Sequence, residues 1–278
     1  VADGTNLIIN LGVPGGPCVV AFDKTSGRLA WGTGKQWGTS YATPVSAYMH
    51  GMKRLLVFAG GESKPPIGGL LCIDPATGRL LSRYPWRSNS YESVNAANPS
   101  VIGDRVFVSA SYGTGGVLLR VDPGGKMHKI WATDELGTHW NTSIHRNGYL
   151  YGFDGRHPHT SELVCLDVRT GKSVWRKDVR WNEEVEINGT KRAVTHGFFR
   201  GSLVWADGHF LCLGESGTLA WLDLSPRGYR EMIRAPLFMA QETWNVPVLS
   251  RGLVYVMQNT PDQVTGTGPR LICYDLRK

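Results

Sequence analysis

A recurrence of about fifty residues constrains this chain more than any other feature. Six apolar runs each end in aspartate: Val19–Asp23, Leu70–Asp74, Val117–Asp122, Leu163–Asp167, Leu219–Asp223 and Leu271–Asp275. Neighbouring aspartates are 51, 48, 45, 56 and 52 residues apart. That period accommodates four short strands and their turns, the unit of a radial β-sheet assembly. After Asp23, Asp74 and Asp167 the chain reads Asp-x-x-Thr/Ser-Gly, closing at Gly27, Gly78 and Gly171. A carboxylate can accept backbone N–H bonds inside such a turn, and glycine supplies the positive φ that closes it. Trp31 and Trp175 follow four residues after Gly27 and Gly171, and Asp122 is followed by Trp131. Each aspartate therefore marks the hairpin between a third and a fourth strand, with the tryptophan set to pack against a neighbouring unit.

Upstream of the aspartates lie first strands after proline or small-residue clusters, as in Ala42-Thr43-Pro44-Val45 and Asn245-Val246-Pro247-Val248. Second strands follow as β-rich runs such as Arg105-Val106-Phe107-Val108 and Leu253-Val254-Tyr255-Val256. No helical period of useful length interrupts them. The chain reads as a single all-β domain over 1–278, a β-propeller of four-stranded antiparallel blades at 1–35, 36–88, 89–136, 137–180, 194–238 and 239–278. About six blades are expected, two of them incomplete: the first without its first strand, the last without its fourth. An open arc leaves sheet edges that a closed ring removes, so further blades are expected N-terminal to Val1.

The motif residues resemble the pyrroloquinoline-quinone-like repeat family, whose Ala-x-Asp-x-x-Thr-Gly-x-x-x-Trp pattern is matched at Ala21–Trp31 and, from Leu166-Asp167, through Trp175. The resemblance implies an eight-bladed ring with blades three to eight present. It further implies a periplasmic or extracellular location. The family includes quinoprotein alcohol dehydrogenases and non-catalytic envelope scaffolds of the BamB type.

Composition narrows the functions. The formal net charge is +7, with no run of five basic residues, so an anionic partner is conceivable and nucleic acid is not expected. Five cysteines leave no complete disulfide framework; Cys72, Cys165 and Cys273, each two residues before an aspartate, read as strand packing residues. No apolar run is long enough for a membrane helix.

Chain order places the long connections between successive blades, and several between second and third strands, on one face. The candidates there are Tyr41, Asn95, His139, Trp140, Asn141, His196, Glu215 and Trp244. His139-Trp140-Asn141 and Thr243-Trp244-Asn245 occupy equivalent places before a first strand, near the central channel. Their tryptophans either stack on a planar ligand or plug the channel. Glu215 reads as an acid, base or calcium ligand, or as a turn carboxylate. His157-Pro158-His159 has metal-like spacing but reads more simply as a solvated loop. Asn141-Thr142-Ser143 and Asn188-Gly189-Thr190 fit the N-glycosylation pattern. The charged segment 178–199 reads as a solvated excursion suited to gripping a partner.

The expected function is a non-catalytic exported monomeric scaffold that binds a protein or envelope component through the loop-rich face, with no cofactor and no metal. One alternative is a dehydrogenase using the quinone cofactor and calcium, although the adjacent cysteine pair of those enzymes is absent. Another is polysaccharide binding through Trp140 and Trp244.

Overall fold

A computed structural model describes residues 1–12, 15–35, 37–61, 66–187 and 189–277. They form six antiparallel sheets in chain order, a β-propeller with almost no helix. The first sheet holds β1 (Ala2–Asp3), β2 (Asn6–Asn10), β3 (Val19–Asp23) and β4 (Leu29–Thr33). The second holds β5 (Val45–Met49), β6 (Met52–Ala59), β7 (Gly69–Ile73) and β8 (Leu80–Pro85). The third holds β9 (Ser100–Ile102), β10 (Arg105–Ala110), β11 (Gly115–Val121) and β12 (Met127–Thr133). The fourth holds β13 (Ile144–Arg146), β14 (Tyr149–Asp154), β15 (Glu162–Asp167) and β16 (Lys172–Lys177). A separate hairpin, β17 (Arg180–Ile187) with β18 (Thr190–Gly197), precedes the fifth sheet of β19 (Ser202–Ala206), β20 (His209–Leu213), β21 (Thr218–Ser225) and β22 (Gly228–Pro236). The sixth has three strands, β23 (Val248–Ser250), β24 (Leu253–Gln258) and β25 (Arg270–Asp275).

The first sheet corrects one expectation. It does have a first strand, the two-residue β1 paired through Ala2 with Leu7 and Asp3 with Asn6. Two residues are too few to carry a period. The segment 178–199 is mostly exposed, as expected of a solvated excursion, and is ordered as an eight-pair hairpin from Arg180↔Gly197 to Ile187↔Thr190. Asn188 of the second glycosylation pattern lies outside the described residues.

The strand period divides each inner strand between two cores. Leu55 and Val57 of β6 pack toward the first sheet with Ile8, Val19 and Ala21, while Leu56 and Phe58 pack toward the third with Val106 and Val117. Three further clusters join the third sheet to the fourth, the fourth to the fifth and the fifth to the sixth. Second and third strands of the second, third and fourth sheets are thus packed on both faces and read as continuous apolar runs. Fourth strands face solvent and alternate, as β16 does.

The aspartate turns form as their residue types require. Asp23 Oδ1 accepts from the Ser26 and Thr25 amides at 2.7 and 3.1 Å, and Asp167 Oδ1 from the Arg169 amide at 2.7 Å. Gly27, Gly78 and Gly171 have φ of 69°, 73° and 70°. Each tryptophan latches onto the next blade: Trp31 Nε1 donates to Pro75 O, Trp131 Nε1 to Val168 O and Trp175 Nε1 to Ser225 O, at 3.1, 2.9 and 2.7 Å. Cys72 and Cys165 are buried in strands, whereas Cys273, expected to match them, is exposed. No sheet covers it among the described residues.

Candidate functional site

In these up-and-down sheets the connections between second and third strands leave from the same end as the connections between blades. Tyr112 (between β10 and β11), Arg156 (β14 and β15) and Glu215 (β20 and β21) therefore meet His139, Trp140, Arg200 and Trp244 from the inter-blade connections.

They form a continuous ladder. The Tyr112 hydroxyl lies 2.6 Å from His139 Nε2. The His139 and Trp140 rings are 4.0 Å apart, and the Trp140 and Trp244 rings 4.1 Å apart at 36°. The Arg200 guanidinium sits 4.2 Å from the Trp140 ring centre and 5.9 Å from that of Trp244. It grips Glu215 with two nitrogens, Nε at 2.8 Å and Nη2, while Nη1 donates to Arg156 O at 2.8 Å. Trp244 Nε1 donates to Glu215 Oε1 at 3.0 Å. Arg156 caps the other end, 4.6 Å from the Tyr112 ring centre.

Glu215 is buried beside a nearly buried Arg200. A bidentate pair in such a site strengthens as water is excluded, and each partner becomes costly to leave alone. Burial, together with the fields of Arg200, Arg156 and His157, pulls the His139 pKa down to about 3, so its ring is neutral at physiological pH. Burial raises the Tyr112 pKa against the opposing fields of Arg156, Arg87 and Arg200. His139 Nδ1 and Trp140 Nε1 are buried without a protein partner among the described residues.

The other sequence candidates divide. Asn95 and Asn141 are clips: Asn95 Nδ2 donates to Ala59 O at 2.8 Å and Trp86 O at 3.2 Å, and Asn141 Nδ2 to Gly201 O at 2.7 Å. Asn141 is buried, so its amide is not available for glycosylation. Tyr41 bonds Asn95 only through its backbone, and its ring is exposed. His196 stands outside the ladder, stacked at 6.0 Å on Trp181 of the hairpin. It lines a cavity of about 340 Å³ that also reaches Arg200 and Glu215. His159 of the His-Pro-His segment packs edge-on to Phe199 at 5.8 Å. Sequence reasoning missed Tyr112, Arg156 and Arg200. One signal was available: Glu215, an acid between apolar strands, requires a cation.

A quinone with calcium needs an open aromatic face and free carboxylate oxygens. Here Trp140 is stacked with His139, Trp244 and Arg200, and both Glu215 oxygens are engaged. Among the described residues no three His, Cys, Asp or Glu side chains gather as a ligand set. The residues of this ladder do not fit that cofactor pair.

Residues 7–177 match the family described as outer membrane protein assembly factor BamB. No curated protein matches the chain. Among solved structures, BamB from Moraxella catarrhalis aligns with a TM-score of 0.58 at 12% identity, over 92% of this chain and 65% of that one. A europium-containing methanol dehydrogenase aligns with a TM-score of 0.62 at 12% identity, over 99% of this chain and 68% of that one. The likeness at such identities is one of fold, and the chain spans about two thirds of the length of either structure.

Proposed function

The chain belongs to the family of the outer membrane protein assembly factor BamB, a family of quinone-like repeat propellers, and from that premise we propose that it is a non-catalytic exported scaffold. Its loop-rich face holds a protein or envelope ligand. The observation that carries this reading is the ladder itself. Glu215 is engaged by Arg200 and Trp244, Trp140 by Trp244 and Arg200, and the His139 Nε2 by Tyr112, while His139 Nδ1 is buried away from solvent. Such an arrangement stiffens a face for recognition and leaves no poised nucleophile or base. Sugar binding would need a free tryptophan face, which Trp140 does not offer and which leaves only the more exposed Trp244. No helix of the described residues is long and apolar enough to cross a membrane.

Two measurements test the reading. The full-length protein is mixed with the quinone and calcium, then assayed for cofactor absorbance and dye-linked alcohol oxidation. No turnover is expected, and sustained oxidation would overturn the scaffold. A photo-crosslinking residue is then placed at Tyr41 on the loop-rich face or at Arg169 on the opposite turns, in cells making the full chain. A discrete adduct is expected from Tyr41 and none from Arg169; equal or absent adducts count against the proposal.

A further inference from the structure

Four arginines follow one another along the loop-rich face. Arg83 and Arg87 line a common cavity beside Trp86, and Arg87 lines a second cavity with Ser88, Ser90 and Tyr112. Arg156 lies over the Tyr112 ring, and Arg200 donates to the Arg156 carbonyl. Only Arg200 has a carboxylate partner; Arg83, Arg87 and Arg156 form no ion pair with any described residue. Among the described residues Arg87 is held by neutral groups, donating to the carbonyls of Gly60, Gly61 and Ser93, and its Nε is buried without a partner. Its position is fixed, and no described carboxylate meets it. Arg156 is exposed, and its contact is an aromatic ring. By contrast, the aspartates of the repeat sit at the opposite end of the blades, where Asp23, Asp122 and Asp167 are bound by their own turns.

We propose that the Arg83–Arg87–Tyr112–Arg156 strip is the docking track for an acidic segment of a partner protein, with successive carboxylates meeting Arg87 and Arg156. The proposal rests on the scaffold reading for the partner being a protein. The arrangement favours an extended acidic chain over a single phosphate, because the guanidiniums are strung along the face and do not converge on one point. A half-buried, fixed Arg87 and an exposed Arg156, neither with a carboxylate partner among the described residues, attract such a chain from a distance and orient it on arrival. Arg87 supplies a preorganised charge, and Arg156, lying on Tyr112, can turn a fork toward a carboxylate without losing the ring contact.

The test uses the full-length protein and a fluorescein-labelled hexaglutamate peptide, read by anisotropy at low salt and at about 0.3 M NaCl. Binding is expected at low salt and should weaken strongly at the higher salt as the Debye length shrinks below about 10 Å. Arg156→Glu should weaken binding about tenfold or more. Arg156→Gln should fall between the two, and Arg169→Glu, the same charge change on the far turns, should leave binding near the parent value. Melting temperatures close to the parent confirm that each variant is folded. Equal weakening by Arg156→Glu and Arg169→Glu would reduce the effect to net charge and overturn the track; so would absence of peptide binding to the parent. If either occurs while the Tyr41 adduct still forms, the acidic track fails and the scaffold stands.

Discussion

Gly27, Gly78 and Gly171 share one left-handed backbone, yet a Cβ would meet very different surroundings at each. At Gly27 it would meet nothing within 4 Å; at Gly78 it would approach Trp31 to 2.5 Å, and at Gly171 it would approach Trp131 to 2.8 Å. The turn glycine is also the seat of the preceding blade's tryptophan. Gly27→Ala is expected to cost about 1–2 kcal/mol, the penalty of the backbone alone. Gly171→Ala should cost a further ~1–3 kcal/mol from overpacking. Denaturant midpoints of the two variants measure the difference, and equal losses would refute the latch. His139 carries a pH signature. The unfolded imidazole takes up a proton near pH 6.5, whereas the folded one resists until about 3. The unfolded state therefore binds more protons in that window, and stability falls as pH drops from about 6.5 toward 3, by at most ~1.4 kcal/mol per pH unit for this site. His139→Gln should flatten the decline between pH 6.5 and 4.5 in urea unfolding curves; an unchanged slope would mean the ring is not the cause. The lowered pKa of Asp23, held by the Ser26 amide, contributes stability that is full above the ordinary carboxylate range and is lost only as pH falls through and below it.

Among the elements, the hairpin β17–β18 pairs only with itself, so its tip bears little on the propeller. Its base does bear on it: Trp181 packs against Phe198 at 5.6 Å and lies under Arg234 at 3.9 Å. Replacing 183–194 by a two-residue turn should leave the melting temperature within a few degrees, while Trp181→Ala should cost about 2–4 kcal/mol. The reverse order of effects in thermal melts would show that the tip, not the base, is structural. The link between Arg200 and Glu215 joins the connection entering the fifth sheet to a turn within it, and Trp244 extends the link toward the sixth. Glu215→Ala strands a nearly buried guanidinium and is expected to cost about 3–5 kcal/mol. This element was only half legible. Trp140 and Trp244 stood out because two equivalent positions before first strands carried the same aromatic, but Arg200 has no counterpart in the repeat and follows two phenylalanines in an irregular connection. Nothing in its local pattern says that it reaches Glu215, fifteen residues on.

At the scale of the whole molecule, five cores join six sheets strictly in order, each sheet touching its sequence neighbours. Stability in such an array is a sum of nearest-neighbour interfaces. The first sheet exposes Leu7 and Ile9 and the last exposes Val248 and Leu271, whereas β7 and β11 are buried almost throughout. Amide exchange is expected to be slowest in β7, β11 and β15 and fastest in β2 and β25. Uniform protection across the six sheets, read by mass spectrometry, would contradict this nearest-neighbour picture.

The propeller was readable without coordinates because its determinants are local and repeated. An aspartate that binds the next amides, a glycine with positive φ and a strand period of two act within a few residues, and they recur every fifty or so. The tertiary structure decided what gathers at the loop-rich face. Tyr112, the His139–Trp140 pair, Arg156, Arg200 and Trp244 come from five connections, of which only those of Trp140 and Trp244 share a residue at the same place in the repeat, and only the radial packing of the blades brings their side chains within stacking and hydrogen-bonding distance. Burial there gives the contacts their energies, and burial belongs to the assembled fold.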